Sequence, residues 1–402
     1  MRKLLLIILL TTAALCHAKE TKGTLFFFRL GERIDRFMLQ KVDTNYINLP
    51  EYIWQLDLSS GLVGVNSAIH STDDYGFGPG NDVTLSLFNR TTPSVDLGFN
   101  AGYRGIGFGY SWDLLHAYDR RFNFNIGSKA IGVDFFHQRS SNIHTQMAIN
   151  NEHISLFDAD NVVKVTNTSL GVWYALNSAH YSHHAATKQT YIQRKTAGSL
   201  LLHLSYMEST IAFSDTIIIE EAKRPTFSAL MSDVTAMTTR QVAVWLGYGI
   251  NYTPNHGKVL LHLSAAAMLV CYSVNHVSYF VPDSLKPKLP GEPMYVLQSA
   301  HPVHVTGNVR AAVSWEINRY VHLSAWASGN NIRFYSEKAF NGNELTLSNW
   351  NWQVHLNVGV RLGVDSRRVH EALKDDPVPP AQPVRTTKLP RWLTDFFFSP
   401  SL

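Results

Sequence analysis

The chain has 402 residues, of which 45% are hydrophobic and 16% charged, with 35 Lys and Arg against 31 Asp and Glu. That composition excludes a disordered chain, and so small a positive balance does not suggest nucleic acid as the partner. The 21 Phe, 17 Tyr and 9 Trp beside 25 Gly favour strands over helices, so the expected class is all-β.

In chain order, residues 1–18 read as an export signal: Arg2 and Lys3 give a positive start, Leu4 to Leu15 an apolar run, and Cys16-His17-Ala18 a small-residue cleavage site. The apolar run is about a dozen residues, short of the roughly 20 that a spanning helix needs. Cleavage after Ala18 would leave Cys271 alone, which removes an internal disulfide and a cysteine-based zinc site. Residues 19–50 form an expected periplasmic segment. Within it Phe27, Leu30, Ile34, Phe37 and Met38 recur every three to four residues among Arg29, Glu32, Arg33, Asp35 and Arg36, the pattern of a short amphipathic helix.

From residue 51 to 364 the period is two. Trp54, Leu56 and Leu58 oppose Gln55, Asp57 and Ser59, and Val83, Leu85 and Leu87 repeat the pattern. Val95, Leu97, Phe99 and Ala101 are odd-numbered, whereas Ile106, Phe108, Tyr110 and Trp112 are even. The phase therefore flips at Tyr103-Arg104-Gly105, which predicts a tight hairpin or bulge. Gly105, Gly107, Gly109 and Ser111 make the second face bare, which suits a crowded barrel interior or a close-packed neighbour; no helix pattern follows, so a phosphate loop is not expected. Further strands are expected near 122–127, 130–137, 162–177, 180–188, 197–206, 241–252, 258–273, 303–317, 320–334 and 350–364, with short turns at Pro254-Asn255-His256-Gly257 and Asn318-Arg319-Tyr320. Large loops are expected at 65–80, 207–239, 275–302 and 335–349. Strand parity places these outside and the short turns inside, the asymmetry of an outer-membrane barrel, although it leaves 139–161 on the wrong side. In the last strand Trp352, Val354, Leu356, Val358, Val360 and Leu362 oppose Gln353, His355, Asn357, Gly359 and Arg361. Asn357, Gly359, Leu362 and Val364 fit the signal by which barrel assembly machinery recognises a final strand. Beyond it, 365–402 reads as a Pro-rich periplasmic tail ending in Trp392 and Phe396-Phe397-Phe398.

At Asp43-Thr44-Asn45-Tyr46-Ile47, at Tyr103-Arg104-Gly105, and above all from Trp173-Tyr174-Ala175-Leu176-Asn177 to Gln193-Arg194-Lys195-Thr196-Ala197-Gly198-Ser199, the chain resembles the domain of unknown function 4421 family of Bacteroidota. The resemblance covers roughly residues 40–364, and the Asn177, Tyr181, Ser182 element followed by the Gln193, Ala197, Gly198, Ser199 element is its most specific part. Tyr181-Ser182 stands where the family has Phe-Ser, and Thr196 where it has Ser. The resemblance implies an exported outer-membrane β-barrel and supplies no catalytic residues.

A tetrad recurs: Leu202-His203-Leu204-Ser205, Leu261-His262-Leu263-Ser264, Val321-His322-Leu323-Ser324 and Val354-His355-Leu356-Asn357. In each, the polar pair shares the face opposite the aliphatics. A luminal hydrogen-bonded lining is one reading; a hydrolase with His as base and Ser as nucleophile is another. Residues two apart in a strand are about 6.5–7 Å apart along the chain, so a working pair is expected only across strands. His180, His183 and His184 alternate between strand faces and are expected at the surface or rim, not around a metal; Asp73, Asp74 and Asp82 match no EF-hand spacing. No cofactor is implied. The expected architecture is a closed antiparallel outer-membrane barrel of about 12–14 strands in outer-membrane lipid. Its expected role is structural, or binding of an external ligand or partner through its long outer loops; a small polar-lumen channel is the alternative and a Ser/His hydrolase the second.

Overall fold

In the computed structural model the described residues are 43–364, except 44, 49–51, 74–82, 92–93, 104, 117–118, 129, 150–151, 214–233, 255–257, 280–303, 319 and 337–343. The expected leader, the helix at 27–39, the Pro-rich tail, Asp74 and Asp82 lie outside them.

Alternating sequence becomes strand almost throughout: β1 (Ile47–Asn48), β2 (Tyr52–Asp73), β3 (Val83–Thr91), β4 (Ser94–Tyr103), β5 (Ile106–Asp113), β6 (Arg120–Gly127), β7 (Ile131–Ser140), β8 (Ile143–Ile149), β9 (Glu152–Asp160), β10 (Val163–Ala175), β11 (Ile192–Gln193), β12 (Ala197–Phe213), β13 (Val234–Tyr252), β14 (Val259–Tyr279), β15 (His304–Glu316), β16 (Val321–Ser336) and β17 (Glu344–Val364). Among the described residues one short helix, α1 (His183–Thr187), interrupts them. Twelve strands, β2, β4, β5, β6, β7, β10 and β12 to β17, form an antiparallel ring that closes where β17 pairs β2 from Val364↔Tyr52 to Glu344↔Thr72. Closure leaves no unpaired edge in the ring, the condition for spanning a hydrocarbon layer with strands.

The faces are inverted relative to a soluble protein. Leu204, Leu246, Leu263 and Leu356 are 53–64% exposed, while the neighbouring Ser205, Gln241, His262 and His322 are at most 4% exposed. A sandwich would bury those leucines under a second sheet; among the described residues nothing covers them. Tyr174, Tyr252, Trp315 and Tyr320 lie toward one end of the exposed band and Tyr206, Tyr272 and Trp350 toward the other, with aliphatic residues between. From Trp350 to Leu362, at ~3.3 Å per residue and a ~40° tilt, this band is about 30 Å tall, the scale of a bilayer's apolar core. No described helix is long and apolar enough to cross a membrane.

The ring's two ends differ. The 104–105, 128–130, 253–258 and 317–320 connections lie at one end (the turn end); 74–82, 214–233, 280–303 and 337–343 lie at the other (the loop end). The phase flip at Tyr103-Arg104-Gly105 is the β4–β5 hairpin, with Gly105 at φ 82°, a conformation that favours glycine. The bare glycine face beyond it makes room for amides: a Cβ at Gly107 or Gly109 would collide with Asn125, Asn123 or Asn100.

Three expectations are corrected. The 139–161 stretch holds β8 and β9, which continue β7 and β10, and its turn lies at the loop end; β3 pairs β8 directly above the short β5–β6 hairpin, which restores the parity. The large loops are shorter than expected, because β2 runs to Asp73, β12 to Phe213 and β14 to Tyr279, while β13 starts at Val234 and β17 at Glu344. Residues 180–188 are not a strand but carry α1.

In β14 the register with β13 shifts between Val270 and Tyr272, so Cys271 occupies a bulge. Met268 and Val270 face inward before it, Ser273 and Asn275 after it.

Candidate functional site

Among the described residues the 176–196 connection is the long one between ring strands at the turn end, and it folds back into the barrel mouth. Ser182 caps α1 by accepting from Ala185 N at 3.2 Å, so five residues form a single turn where alternation alone reads as strand. Tyr181, Ser182, His184, Ala185, Ala186, Tyr191 and Gln193 are all at most 3% exposed. Glycines of the wall receive the segment: a Cβ at Gly127 would collide with His184, and one at Gly249 with Tyr181. Ile47, Ala185, Ala186, Tyr191 and Leu260 form an apolar cluster, and β1 pairs with β11 beside it.

Hydrogen bonds hold this floor. Gln193 Oε1 accepts from Ser182 N at 3.1 Å and from Asn251 Nδ2 at 3.2 Å, and Gln193 Nε2 faces the carbonyls of His180 at 2.6 Å, Lys195 at 2.9 Å and Tyr46 at 3.3 Å. Asn177 Nδ2 donates to Gly198 O at 2.8 Å and Asn177 N to Ser199 Oγ at 2.9 Å, closing the segment's base. Thus Asn177, Tyr181, Ser182, Gln193, Gly198 and Ser199, singled out by their motif spacing, build one device. Arg361 reaches up to Gln189 O at 3.5 Å and donates to Glu316 Oε1 at 2.7 Å, tying the floor to the last strand.

Part-way toward the loop end, opposite walls meet. Asn167 of β10 donates to Asn351 Oδ1 of β17 at 3.1 Å, and these strands are six apart in the ring of twelve. Ser209 Oγ donates to Asn167 Oδ1 at 2.7 Å, and Met207 packs with Met268 and Ile332 beside this neck. Between neck and floor lies a chamber of about 430 Å³, within the range of ligand pockets. Its lining includes Arg121, Asp134, Trp173, Lys188, Trp245 and Arg310.

All eight tetrad positions face the lumen, but they do not converge. His203 rests against Trp245 with rings 5.2 Å apart, and its Nε2 has no hydrogen-bond partner among the described residues. His322 Nε2 lies 3.2 Å from Asp57 Oδ1, and Ser324 shares a 3.2 Å hydrogen bond with Asn357. Ser205 Oγ accepts from Trp245 Nε1 at 2.7 Å. His355 Nε2 is 2.9 Å from Arg121 Nη1, and Arg121 is ion-paired with Asp96. His262 alone contacts the Ser of its own tetrad, at 3.1 Å from Ser264 Oγ. This corrects the expectation that a working pair must be cross-strand: the backbones are two residues apart, but the longer imidazole leans along the shared face until it reaches the hydroxyl. Gly359 faces inward under His322, while Leu362 is exposed on the outer face.

The histidines expected at the rim are inside. His183 lies in ring contact with Trp173, Tyr181 and His262, and His184 with Trp173; only His180 stays at the edge, 3.5 Å from Asp43. Among the described residues no group of three potential metal ligands exists. Burial lowers the pKa of both His183 and His184, the latter to about 4; for His184 the Asp134 carboxylate opposes the shift and Lys188 and Arg310 add to it. A folded-state pKa below the unfolded value of 6.5 means that the folded protein resists a proton the unfolded chain accepts. Stability from neutral His184 is therefore full above about pH 6.5 and is lost as pH falls toward 4, up to roughly 3 kcal/mol. The urea midpoint should fall between pH 7 and pH 4.5, and less steeply in His184→Gln; identical slopes in both proteins would contradict this assignment.

A model of the family described as domain of unknown function (DUF4421) matches residues 41–362. No curated protein matches the sequence. Among solved structures the fold is similar to the outer-membrane protease OmpT of Escherichia coli, with 8% identity over 78% of this chain and 98% of that one and a TM-score of 0.35. It is also similar to OprG of Pseudomonas aeruginosa, at 10% identity over 77% and 98% with a TM-score of 0.29. The COG4313 outer-membrane channel of Pseudomonas putida F1 gives 10% over 80% and 99% with a TM-score of 0.27. Likeness of this order concerns the barrel architecture alone.

Proposed function

The chain belongs to the DUF4421 family, and from that premise we propose that it is an outer-membrane barrel that binds a small solute in its lumen and is not a diffusion channel. The exposed apolar band supports residence in outer-membrane lipid, with the turn end in the periplasm. The pattern on β17 (Asn357, Gly359, Leu362, Val364) would serve as its signal to the assembly machinery. The observation that carries the functional reading is the chamber itself: a floor made by 176–196, a neck where Asn167 meets Asn351, and about 430 Å³ between them. A channel of this strand number needs a continuous water path, and the floor interrupts it. The outer-loop segments 214–233 and 280–303 lie outside the described residues, so a partner bound there gains no support.

The lining suits a solute with an acidic group and an apolar body. Arg310 and Lys188 line the chamber without a direct ion pair among the described residues, Asp134 acting on both and Asp57 on Lys188 from across the lining, and Trp173 and Trp245 offer aromatic edges. Purified protein in planar bilayers should show no steady conductance, while small carboxylates or phosphates should produce a saturable change in tryptophan fluorescence. An ohmic open pore would replace this reading with the channel.

A further inference from the structure

We propose that Ser264, His262 and Asn251 form a nucleophile relay facing the luminal chamber, with Arg310 beside it, suited to acyl transfer from a small ester that carries an anionic group. This rests on the chamber reading above and adds a reaction to it.

The orientation of Asn251 is the starting point. Its Nδ2 donates to Ser182 O at 2.8 Å and to Gln193 Oε1 at 3.2 Å, so the amide cannot turn over without losing both acceptors. Its Oδ1 therefore faces His262 Nδ1, at 2.8 Å, and an amide oxygen can only accept. The proton of neutral His262 is thereby fixed on Nδ1. Nε2 is left bare toward Ser264 Oγ at 3.1 Å, within the range for proton transfer. A hydroxyl donating to an imidazole whose far nitrogen is held by a third group is the arrangement that activates a serine, recognised by geometry and not by chain order. Asn251, His262 and Ser264 are 0%, 3% and 8% exposed, so water competes little with these bonds.

The other requirement is a positive group where charge develops. Arg310 stands directly opposite Ser264 in the β14–β15 register, both on the inward face, and such pairs have Cβ atoms about 4.5–5.5 Å apart. Its Nε is buried without a hydrogen-bond partner among the described residues. Both Arg310 and Ser264 line the chamber. Asp134 and Tyr181 act on this guanidinium from nearby, and its Nε keeps a free donor that can hold a substrate's anionic group or the oxygen of a tetrahedral intermediate. The bookkeeping closes without a cofactor. Ser264 Oγ bonds to the ester carbonyl carbon as its proton passes to His262 Nε2. The carbonyl electron pair moves to oxygen and returns as the C–O bond to the leaving alcohol breaks, and the alcohol leaves with the proton from Nε2. Water then repeats the sequence on the acyl-serine, releasing the acid and restoring the serine.

A chain of bonds that merely anchors the floor to β13 and β14 would look alike at rest but would not make Ser264 reactive. Purified barrel is therefore treated with diisopropyl fluorophosphate, whose fluoride leaves as the Ser264 Oγ–P bond forms, and the adduct is mapped by peptide mass spectrometry. We expect one adduct, on Ser264 and not on Ser205 or Ser324, formed faster as pH rises through the titration of a single group. The rate should drop at least 100-fold in His262→Gln, with heat-modifiable migration on gels reporting that this variant is folded. In parallel, a Ser264→Cys, Cys271→Ser protein is exposed to a small anionic methanethiosulfonate. If that thiol reacts but the parent takes no diisopropylphosphoryl group on Ser264, or takes it equally in His262→Gln, the relay is refuted and the chamber stands. If the thiol does not react, the chamber reading falls and the relay with it.

Discussion

Replacing Gln193 with Leu is expected to release the 176–196 floor while leaving the ring intact. Leucine has nearly the same volume but offers nothing to Ser182 N, Asn251 Nδ2 or the carbonyls of His180, Lys195 and Tyr46. Gln193 is 1% exposed, so water cannot take its place there. Each buried group left without a partner costs about 1–3 kcal/mol, and the set together about 3–5 kcal/mol, enough to loosen a segment whose other anchors are two small apolar clusters and the bonds of Asn177, Asn251 and Arg361. Lys188, which lines the chamber in the parent, then becomes a tryptic site. Rapid cleavage after Lys188 in Gln193→Leu, with slow cleavage in the parent, is the expected result; equal rates would mean that the hydrogen bonds of Gln193 do not hold the floor.

A comparably large effect is expected at Asp96. Its carboxylate pairs with Arg121, both at most 8% exposed, and Arg121 also approaches His355 and Gln353. Asp96→Ala leaves a guanidinium in the lumen wall without its counter-charge, at a cost of about 3–5 kcal/mol. Removing both charges in Asp96→Ala/Arg121→Met should recover most of that loss, because the penalty belongs to the orphaned cation more than to the missing attraction. Urea unfolding in phospholipid vesicles would show it. A loss below 1 kcal/mol for Asp96→Ala, or a double variant no better than the single, would contradict it.

The strands that face lipid were legible in the sequence because their period is strict. Trp352 to Leu362 alternates with Gln353 to Arg361 without a break, and the inversion of faces follows from the residue types alone. What escaped reading obeys other physics. The pairing of β3 with β8 joins segments more than 50 residues apart past a hairpin that happens to be short, and no local pattern records it. The upper reach of β2, beyond residue 65, carries polar residues such as Ser67 on the luminal face beside a broken apolar face, and so reads as a loop. The floor was misread because His180 to Lys188 has no helical period long enough to detect. The Ser182 cap before Ala185-Ala186 was the available signal, and the motif spacing from Asn177 to Ser199 marked the segment without saying what it did. The contact between His262 and Ser264 was dismissed on backbone spacing, which ignores how far an imidazole can lean.

The account depends on one division of space, with lipid outside the wall and a polar chamber within it. Single cysteines placed in turn at positions 202 to 207, in a protein lacking Cys16 and Cys271, can be labelled with an environment-sensitive fluorophore and exposed to lipid-borne quenchers in vesicles. The account predicts strong quenching at 202, 204 and 206 and weak quenching at 203, 205 and 207, since Leu202, Leu204 and Tyr206 point outward and His203, Ser205 and Met207 inward. Uniform quenching, or the opposite phase, would contradict it.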